Sequence, residues 1–359
     1  MKRNSNKKSA KGTKKAFSYF LKITILLCAS LLICLTAYGV YLTKKAETAA
    51  NEAYEEVEDR DISEKREAKV EPTHDNVSIL FIGVDDSAER QEAGLGNPRS
   101  DALILATLNN EDRTVKMVSI PRDSFVYVPY LGYNDKITHA HAFGGTLATI
   151  ETVEGLFDIP VDYYVKMNFN AFIDVVDAVG GIEVEVPYDR LELDENDQYT
   201  IQLKEGLQNL NGSEALALAR TRKQDSDIER GKRQQEIMKA VAKKAANITS
   251  IGSYGSIIDA VGANMKTDMT FDEMKSFFSY LLGGMPQIDT LTLSGYDGTN
   301  PATGAYIYEL DEQNLLETQN ILKSHLGLIE DTSNVSGAID SDEDSDSYNS
   351  INTISKSNE

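Results

Sequence analysis

Apolar and polar positions divide the chain into segments with clearly different patterns. Residues 23–42 form an unbroken apolar run, ITILLCASLLICLTAYGVYL, without a charged residue. Twenty apolar residues in a helix are enough to cross a hydrocarbon core about 30 Å thick. The run is longer than the apolar region of a cleaved signal peptide, and it ends in Tyr41-Leu42-Thr43-Lys44-Lys45 instead of a small-residue cleavage site. The pattern therefore predicts one uncleaved transmembrane helix.

Residues 77–330 alternate between strand-like and helix-like patterns. Short apolar runs predict strands at Val77–Val84, Ala102–Asn109, Thr114–Ile120, Tyr163–Met167, Ile182–Val186 and Asp289–Leu293. Helical periodicity predicts helices at His141–Phe157, Ala171–Val179 with Asn170 as N-cap, Ser213–Arg220, Ile228–Ala246 and Phe271–Leu282. Such alternation is typical of an α/β fold. We therefore expect a mixed central sheet flanked by helices, an αβα sandwich, preceded by the transmembrane helix.

The segments around this domain differ from it in composition. Residues 1–22 carry eight Lys or Arg and no acid, so they are predicted to be a cytoplasmic basic tail. Residues 43–76 are rich in Glu, Ala and Lys and lack glycine, which predicts an acidic, partly helical and solvated extracellular stalk. Residues 331–359 hold eight serines and seven acids, the composition of a disordered acidic Ser-rich tail.

Composition and charge exclude several functional classes. The net charge of −21 argues against nucleic acid as a partner, because nucleic-acid binding needs a broad basic face. The two cysteines, Cys28 and Cys34, both lie in the apolar run, so the domain has no disulfide, zinc-finger or catalytic thiol. G-x-S-x-G, H-E-x-x-H and complete phosphate-loop motifs are absent. Direct displacement at phosphorus is therefore favoured over a covalent Ser or Cys intermediate.

Charged residues stand at the ends of three predicted apolar strands. The first strand ends in Gly83-Val84-Asp85, the second begins after Arg99-Ser100-Asp101, and the third leads into Pro121-Arg122-Asp123. The short polar turn at residues 109–112 predicts that the second and third strands form an antiparallel hairpin. If the first strand is antiparallel to the second, all three charged groups meet at one edge of the sheet. A set of structural ion pairs is the alternative interpretation.

These residues predict a metal-assisted phosphate site. Mg²⁺ is bound by one or two carboxylates together with phosphate oxygens, and arginine complements phosphate with two parallel hydrogen bonds. A second basic cluster strengthens the prediction, although a basic run on a helix can also be a solvated face. The cluster consists of Arg220, Arg222, Lys223, Asp227, Arg230, Lys232, Arg233, Gln234 and Gln235, and Lys136 is a further basic residue upstream. A local positive site in an acidic domain suits a small polyanion.

Several ordered motifs resemble those of a known family. They are GVD, RSD, SIPRD, DKI, VDYYVKMNFNAFIDVVDAVGGIEVEVP and ARTRKQDSDIERGKRQQ. Together they resemble the LytR-CpsA-Psr family over residues 77–245, and the N-terminal anchor fits as well. One departure is Lys136-Ile137-Thr138-His139, where the family commonly has Lys-Ile-Asn-Ala, so a hydrogen bond made by the amide is in doubt.

The resemblance implies a membrane enzyme of a Gram-positive-type envelope, single-pass and type II, with an extracellular domain. Its implied reaction moves an anionic glycopolymer, such as wall teichoic acid, from an undecaprenyl-pyrophosphate-linked donor to the 6-hydroxyl of peptidoglycan N-acetylmuramic acid. Two other interpretations stay open: a polyprenyl-pyrophosphate hydrolase, and a non-catalytic lipid-binding regulator of envelope biogenesis. The helix with Phe172, Val175 and Val176 is a candidate wall of the lipid pocket, or ordinary core.

The resemblance also implies roles for individual residues. The catalytic set would be Asp85, Arg99, Asp101, Arg122 and Asp123. The pyrophosphate-binding set would be Arg99, Arg122, Lys136, Arg220, Arg222, Arg230 and Gln234. Asp85 and Asp101 would hold Mg²⁺, or alternatively Mn²⁺, and Asp123 would orient Arg122. The general base is left open between Asp101 and Asp85.

Overall fold

The computed structural model describes residues 9–58, 60–85, 96–195, 198–221, 226–247, 258–260, 262, 265–282 and 284–329. The predicted tail at residues 331–359 lies outside them. Helix α1 runs from Ser9 to Ala53 and contains the predicted span 23–42. The part of this helix from Tyr19 to Ala53 is long enough, and contains a stretch apolar enough, to cross a membrane. That apolar stretch is not buried. This fits the predicted membrane anchor.

The segment after the anchor packs against the domain, which corrects the prediction of a solvated stalk at 43–76. Ala50 and Ala53 at the end of α1 are buried, and Val57 joins the main core. Arg60 Nη2 lies 2.8 Å from Glu154 Oε1, and Arg66 Nη2 lies 2.7 Å from Asp162 Oδ2. The prediction of full solvation fails at these contacts, because charges of the segment are matched by distant residues of the domain. Most described residues of 43–76 are nevertheless exposed, and the segment is helical up to Ala53, which agrees with a partly helical stalk.

The central sheet has the order β11-β6-β1-β2-β3-β12 and is mixed, as expected. The β1–β2, β2–β3 and β6–β11 pairs are antiparallel, whereas β1–β6 and β3–β12 are parallel. The strands are β1 (Val77–Val84), β2 (Ser100–Asn109), β3 (Thr114–Ser119), β6 (Tyr163–Met167), β11 (Met265–Thr267) and β12 (Gln287–Thr292).

Four smaller two-stranded sheets surround the central one. They are formed by β4 (Phe125–Val128) with β5 (Tyr133–Lys136), β7 (Ile182–Val186) with β10 (Gly206–Leu210), β8 (Arg190–Leu193) with β9 (Tyr199–Leu203), and β13 (Gly295–Thr299) with β14 (Tyr306–Leu310). Only the β7 strand among these was predicted. The others have only four or five residues, and most of them carry few apolar residues, so they show no clear apolar pattern.

Helices cover both faces of the central sheet, which confirms the αβα sandwich. Helices α2 (Thr138–Phe157) and α7 (Glu312–His325) pack on the face that includes Leu80 and Leu105. The opposite face is covered by α5 (Asp227–Ala246) and α6 (Phe271–Leu282). Helices α3 (Phe169–Ala178) and α4 (Gly212–Arg220) pack with β7 and β10 around a separate apolar cluster.

The N-cap of α3 is Asn168 and not Asn170. The Asn168 side chain accepts a hydrogen bond from the Ala171 backbone N–H, so the helix begins at Phe169. An asparagine stands at both positions and both suit an N-cap, so only the path of the chain out of β6 selects between them.

The last turn of α7 places a buried histidine between two hydroxyls. His325 Nδ1 lies 2.7 Å from Thr107 Oγ1, and His325 Nε2 lies 2.8 Å from Thr114 Oγ1. Burial, assisted by the positive charge of Lys116, lowers the pKa of His325 to about 4. The imidazole is therefore neutral in the folded protein at pH 7.

We expect His325 to make the fold sensitive to mild acid. The unfolded chain binds a proton at this residue near pH 6.5 but the folded protein only near pH 4, so stability falls as the pH drops between these values. The contribution to the loss from pH 7 to pH 5 is about 2 kcal/mol. Chemical unfolding of the detergent-solubilised protein at both pH values measures it. His325→Gln, which does not titrate, should lose about that much less, and an equal loss in both proteins would refute the assignment.

Candidate functional site: a cleft with a charged mouth

The register of three strands brings the charged strand ends together. Gly83 pairs with Ala102 and Val84 with Ser100, so Asp85 and Asp101 lie at the same end of the sheet. Ile104 pairs with Ser119 on β3, and the Ile120 N–H donates to the Leu103 carbonyl at 2.9 Å. The chain after β3 therefore carries Arg122 to this edge. The predicted antiparallel arrangement of β1, β2 and β3 is confirmed.

A cleft of about 570 Å³ opens at this edge between the sheet, α3, α4 and α5. Most of its lining is apolar and comes from Phe81, Ile82, Gly83, Ala102, Ile104, Met167, Phe169, Phe172, Val175, Val176, Leu216, Ala219, Ile237, Met238, Val241, Ala242 and Ala245. Its polar lining is Asp85, Asp101, Arg122, Asn168, Arg220, Arg230 and Gln234. Six of these seven residues belong to the predicted site.

The polar residues lie at one end of the cleft. On α5 the lining begins with Arg230 and Gln234 and continues through Ile237 and Val241 to Ala245. At a rise of about 1.5 Å per residue, the distance from Arg230 to Ala245 along the helix is roughly 22 Å. Asp85 and Asp101 stand at the same end because each lies where its strand meets the sheet edge. The cleft thus combines a charged mouth with a long apolar interior.

Arg122 sits between two carboxylates at the mouth. Its Nη1 lies 2.5 Å from Asp101 Oδ1, and its Nε lies 3.6 Å from Asp123 Oδ2. Lys136 Nζ donates to Asp123 Oδ1 at 2.7 Å. Burial alone would raise the pKa of Asp123, but the hydrogen bond and charge of Lys136 and the charge of Arg122 lower it overall. The lowered pKa favours the anionic form of Asp123, which lies beside Arg122.

Two further arginines reach the mouth from α4 and α5. The Arg220 guanidinium lies 4.4 Å from the centre of the Phe169 ring, and its Nη1 donates to the Asp194 carbonyl at 3.3 Å. Arg230 is 5% exposed and lies 3.4 Å from Asp227 Oδ1. A cation over an aromatic face and a buried ion pair both restrict the guanidinium, so these charges are held in place before any ligand binds.

The other predicted residues lie outside the cleft lining that the described residues form. Arg99 is exposed in the chain just before β2, while Asp123 and Lys136 stand behind Arg122. Arg222 lies outside the described residues. In the same sequence cluster, Arg233 donates to the Thr221 carbonyl at 2.7 Å, and Gln235 donates to the Met117 carbonyl at 3.1 Å. These two side chains therefore attach α5 to its neighbours.

Thr138 stands where the sequence left the hydrogen bond of an amide in doubt, and its hydroxyl makes a hydrogen bond of its own. Thr138 Oγ1 donates to the carbonyl oxygen of Ser100 at 2.8 Å, immediately before Asp101. The threonine hydroxyl thus ties the start of α2 to the strand that carries Asp101. His139 Nδ1 lies 2.9 Å from Asp135 Oδ2, one helical turn away, and is not in the cleft lining.

The sequence did not reveal two aromatic contributions to the site. Phe169 supports Arg220 from the start of α3, and the Tyr306 ring lies 5.6 Å from Lys136 Nζ. Burial and a hydrogen bond to Asp297 raise the pKa of Tyr306, so its hydroxyl stays protonated. Tyr306 is far from the motifs in sequence, and no spacing signal connects it to them. For Phe169, the sequence signal was its position beside the N-cap of α3, which does not indicate a contact with Arg220.

The carboxylates at the mouth fit a metal ion that shares its ligands with a substrate. Within the described parts of the chain, no group of three or more His, Cys, Asp or Glu side chains is placed to hold a metal. Asp85 and Asp101 both line the mouth beside the arginines. Mg²⁺ is commonly held by one or two carboxylates plus phosphate oxygens, with water completing the shell. Two carboxylates beside three arginines meet that requirement.

Comparison with known proteins gives consistent relatives over most of the chain. The LytR_cpsA_psr family model matches residues 40–324. The chain is 37% identical over 317 residues to TagT of Bacillus subtilis (strain 168), a polyisoprenyl-teichoic acid–peptidoglycan teichoic acid transferase, covering 88% of this chain and 97% of TagT. It is 39% identical over 307 residues to the transferase TagU of Halalkalibacterium halodurans, covering 84% and 97%.

Solved structures agree with this result. A structure of TagT bound to LIIa-WTA superposes with a TM-score of 0.66 at 36% identity, covering 76% of this chain and 99% of that one. A structure of TagT with bound octaprenyl pyrophosphate lipid has a TM-score of 0.60 at 34% identity, covering 75% and 98%. The motifs, the fold and these relatives agree, and the chain belongs to the LytR-CpsA-Psr family.

Proposed function

We propose that this protein transfers an anionic glycopolymer, such as wall teichoic acid, from an undecaprenyl-pyrophosphate-linked donor to the 6-hydroxyl of peptidoglycan N-acetylmuramic acid. The observation that carries the proposal is the cleft, because an apolar interior behind three arginines matches a lipid pyrophosphate. The relatives named as teichoic acid transferases support it. In this proposal α1 is a single-pass type II anchor with the domain outside the cell, where peptidoglycan is the acceptor.

The apolar interior would hold the polyprenyl chain. Phe172, Val175 and Val176 of α3 form one wall, and Met238, Val241 and Ala245 of α5 form another. Transfer of apolar surface out of water contributes about 25 cal/mol per Å². A long prenyl chain buried there would therefore supply much of the affinity for the donor. The family homologue with bound octaprenyl pyrophosphate lipid supports this assignment.

The charged mouth would hold the pyrophosphate. Arg122, Arg220 and Arg230 approach from the sheet edge, α4 and α5, so the diphosphate is bound from three directions. Arginine is suited to this task because its planar fork gives two parallel hydrogen bonds to phosphate oxygens. Since the three guanidiniums are already held by Asp101, Phe169 and Asp227, little reorganisation is needed as negative charge develops.

The reaction is a displacement at the phosphorus attached to the polymer. The acceptor hydroxyl oxygen forms a bond to that phosphorus, and the bond from phosphorus to the bridging oxygen of the pyrophosphate breaks. Polyprenyl monophosphate leaves, with its charge stabilised by the arginines. Asp85 or Asp101 takes the proton of the hydroxyl, and Asp123 orients Arg122. A Mg²⁺ ion, or Mn²⁺, held by Asp85 and Asp101 would neutralise charge on the phosphate oxygens.

Removal of Arg230 should abolish most of the transfer activity. Arg230→Ala removes a buried cation from the mouth, and we expect kcat/KM to fall by at least about 100-fold, the usual effect of one lost transition-state donor. The assay measures ligation of labelled lipid-linked polymer to peptidoglycan oligomers. Lys232→Ala is the control because Lys232 is exposed on the same helix and pairs with Glu229. Release of the polymer by the unmodified protein, without ligation to peptidoglycan, would favour a hydrolase. Absence of ligation by the unmodified protein, together with an unchanged cellular phenotype in Arg230→Ala, would favour a non-catalytic regulator. Unchanged ligation by Arg230→Ala would remove Arg230 from the site.

Chelation should stop the reaction if a metal completes the site. We expect EDTA to abolish ligation and added Mg²⁺ or Mn²⁺ to restore it. Asp101→Asn should raise the Mg²⁺ concentration that gives half-maximal rate, because one anionic ligand is lost. Titrating Mg²⁺ against the ligation rate for the two proteins measures the shift. Full activity in EDTA would remove the metal from the proposal and leave the arginines as the sole charge stabilisers.

Filling the interior should block lipid binding without affecting the mouth. Ala242→Trp places a large ring inside the lining, so the dissociation constant for a fluorescent polyprenyl pyrophosphate should rise at least tenfold. Lys243→Trp is the matched control, since Lys243 is the next residue on α5 and is exposed. Fluorescence anisotropy measures both constants, and circular dichroism verifies that each variant is folded. Equal affinities in both variants would place the lipid elsewhere.

A further inference from the structure

An exposed aromatic face lies beside the mouth and is not explained by lipid or pyrophosphate binding. On the β4–β5 hairpin, Tyr127 pairs with Asn134, and the next pair of the same orientation is Phe125 with Lys136. The intervening residues Val126 and Val128 are buried, so the Tyr127 side of the hairpin faces outward. Tyr127 is 57% exposed.

A second tyrosine joins this side from another hairpin. Tyr306 of β14 is 47% exposed, and its ring lies 5.6 Å from Lys136 Nζ. Strand β14 runs beside β4, where Ser124 and Tyr308 form a parallel bridge. Tyr127 and Lys136 are diagonal neighbours on one face of the β4–β5 hairpin, about 7–8 Å apart. We name Tyr127, Asn134, Lys136 and Tyr306 the outer tyrosine face.

This face is joined to the reaction site by consecutive contacts. Lys136 donates to Asp123 at 2.7 Å, Asp123 lies 3.6 Å from Arg122, and Arg122 lies 2.5 Å from Asp101 in the cleft. A molecule on the outer tyrosine face would therefore end close to the phosphate that the arginines hold. The lipid-linked donor would occupy the cleft, so the outer tyrosine face is the place for the second substrate of the proposed reaction.

The chemistry of the face matches a sugar chain. Pyranose rings have an apolar C–H side that stacks on aromatic rings and hydroxyl and amide groups that form hydrogen bonds at the edge. The outer tyrosine face offers two exposed rings with an amide, an ammonium and a phenol hydroxyl between and around them. A protein partner would need a contiguous contact of about 800 Å², which two separated rings do not supply.

The charge of the surroundings selects between sugar polymers. Lys136 is neutralised by Asp123, and the Tyr306 hydroxyl donates to the exposed Asp297 carboxylate at 2.8 Å. Asp123 is itself offset by Lys136 and Arg122, so Asp297 is the exposed negative charge of this pair. Asp297 would repel a polymer with phosphate in its backbone, such as the donor, and accept an amino-sugar chain that lacks phosphate. The acceptor is a polymer of this second kind.

We propose that the outer tyrosine face binds the N-acetylated amino-sugar chain of the acceptor and directs its hydroxyl toward the mouth. The role of the face as an acceptor site rests on the proposed transfer reaction. Sugar binding can be measured independently of that reaction, because it needs neither donor nor turnover. Tyr127 supplies a stacking surface about two residues along the hairpin from Lys136, and Tyr306 supplies another next to the site. Neither tyrosine contacts the reacting phosphate, so both are substrate-binding residues for the acceptor alone.

Direct binding of a phosphate-free oligosaccharide tests the face. The full-length protein in nanodiscs is titrated with chitohexaose and with undecorated peptidoglycan oligomers by isothermal calorimetry. We expect Tyr127→Ala and Tyr306→Ala each to raise the dissociation constant at least fivefold. Tyr306→Phe keeps the ring and loses the bond to Asp297, so it should bind within about twofold of the unmodified protein. Polyprenyl pyrophosphate affinity should stay the same in Tyr127→Ala, because Tyr127 is not part of the cleft lining.

A second exposed tyrosine on the β13–β14 hairpin, which carries Tyr306, provides the control. Tyr296 is 65% exposed on β13 and belongs to the opposite side of the β13–β14 ladder, because it pairs with Glu309 whereas Tyr306 pairs with Thr299. Tyr296→Ala should bind the sugars normally. Absence of sugar binding by the unmodified protein, or binding by Tyr127→Ala and Tyr306→Ala as tight as that of the unmodified protein, would overturn the inference.

Kinetics separate failure of this inference from failure of the proposed function. If transfer occurs, Tyr127→Ala should raise KM for the peptidoglycan acceptor at least fivefold and leave KM for the lipid-linked donor unchanged. Transfer with normal acceptor KM in both tyrosine variants overturns the sugar face and keeps the transferase. Sugar binding that depends on the tyrosines in a protein without transfer activity keeps the face and overturns the proposed reaction.

Discussion

The contact between Arg122 and Asp101 holds the site together, and the rest of the arrangement depends on it. Asp101 lies on β2 and Arg122 in the chain just after β3, so their 2.5 Å contact requires the antiparallel register of these two strands. Asp123 lies on the other side of the guanidinium and is itself held by Lys136. An arginine fixed by two carboxylates can bind phosphate without first losing rotamer freedom, and it keeps the mouth close to electrically balanced before a ligand arrives.

The cleft joins two requirements that usually conflict. A long apolar cavity is costly to leave open to water, and buried guanidiniums are costly to desolvate. Helix α5 combines both on one side, with Arg230 and Gln234 in its first turns and Val241 to Ala245 in its last. Gln235 and Arg233 fasten the same helix to backbone carbonyls of β3 and of the chain after α4. The helix is thus anchored by the residues that face away from the cleft.

The end of the membrane helix is part of the folded domain. Helix α1 is continuous to Ala53, and the chain after it is fixed by Arg60 with Glu154 and by Arg66 with Asp162. The Glu55 N–H also donates to the Thr267 carbonyl at the edge strand β11. These contacts fix the chain from Ala49 onward to the domain at several points. A domain attached in this way is held next to the helix that is long and apolar enough to cross a membrane.

The sequence by itself determined the anchor, the mixed α/β class, and the meeting of Asp85, Asp101 and Arg122, because apolar runs and a short polar turn dictate strand order locally. It also identified Arg220, Arg230 and Gln234 through motif resemblance. Tertiary structure decided the rest. The charged composition of residues 54–76 does not reveal that Arg60 pairs with Glu154, because folding alone brings the two together. For the same reason, the sequence does not show that Arg233 donates to the Thr221 carbonyl. Tyr306 reaches Lys136 across 170 residues of chain, and no local pattern can encode a contact between segments that meet only when two hairpins pack together.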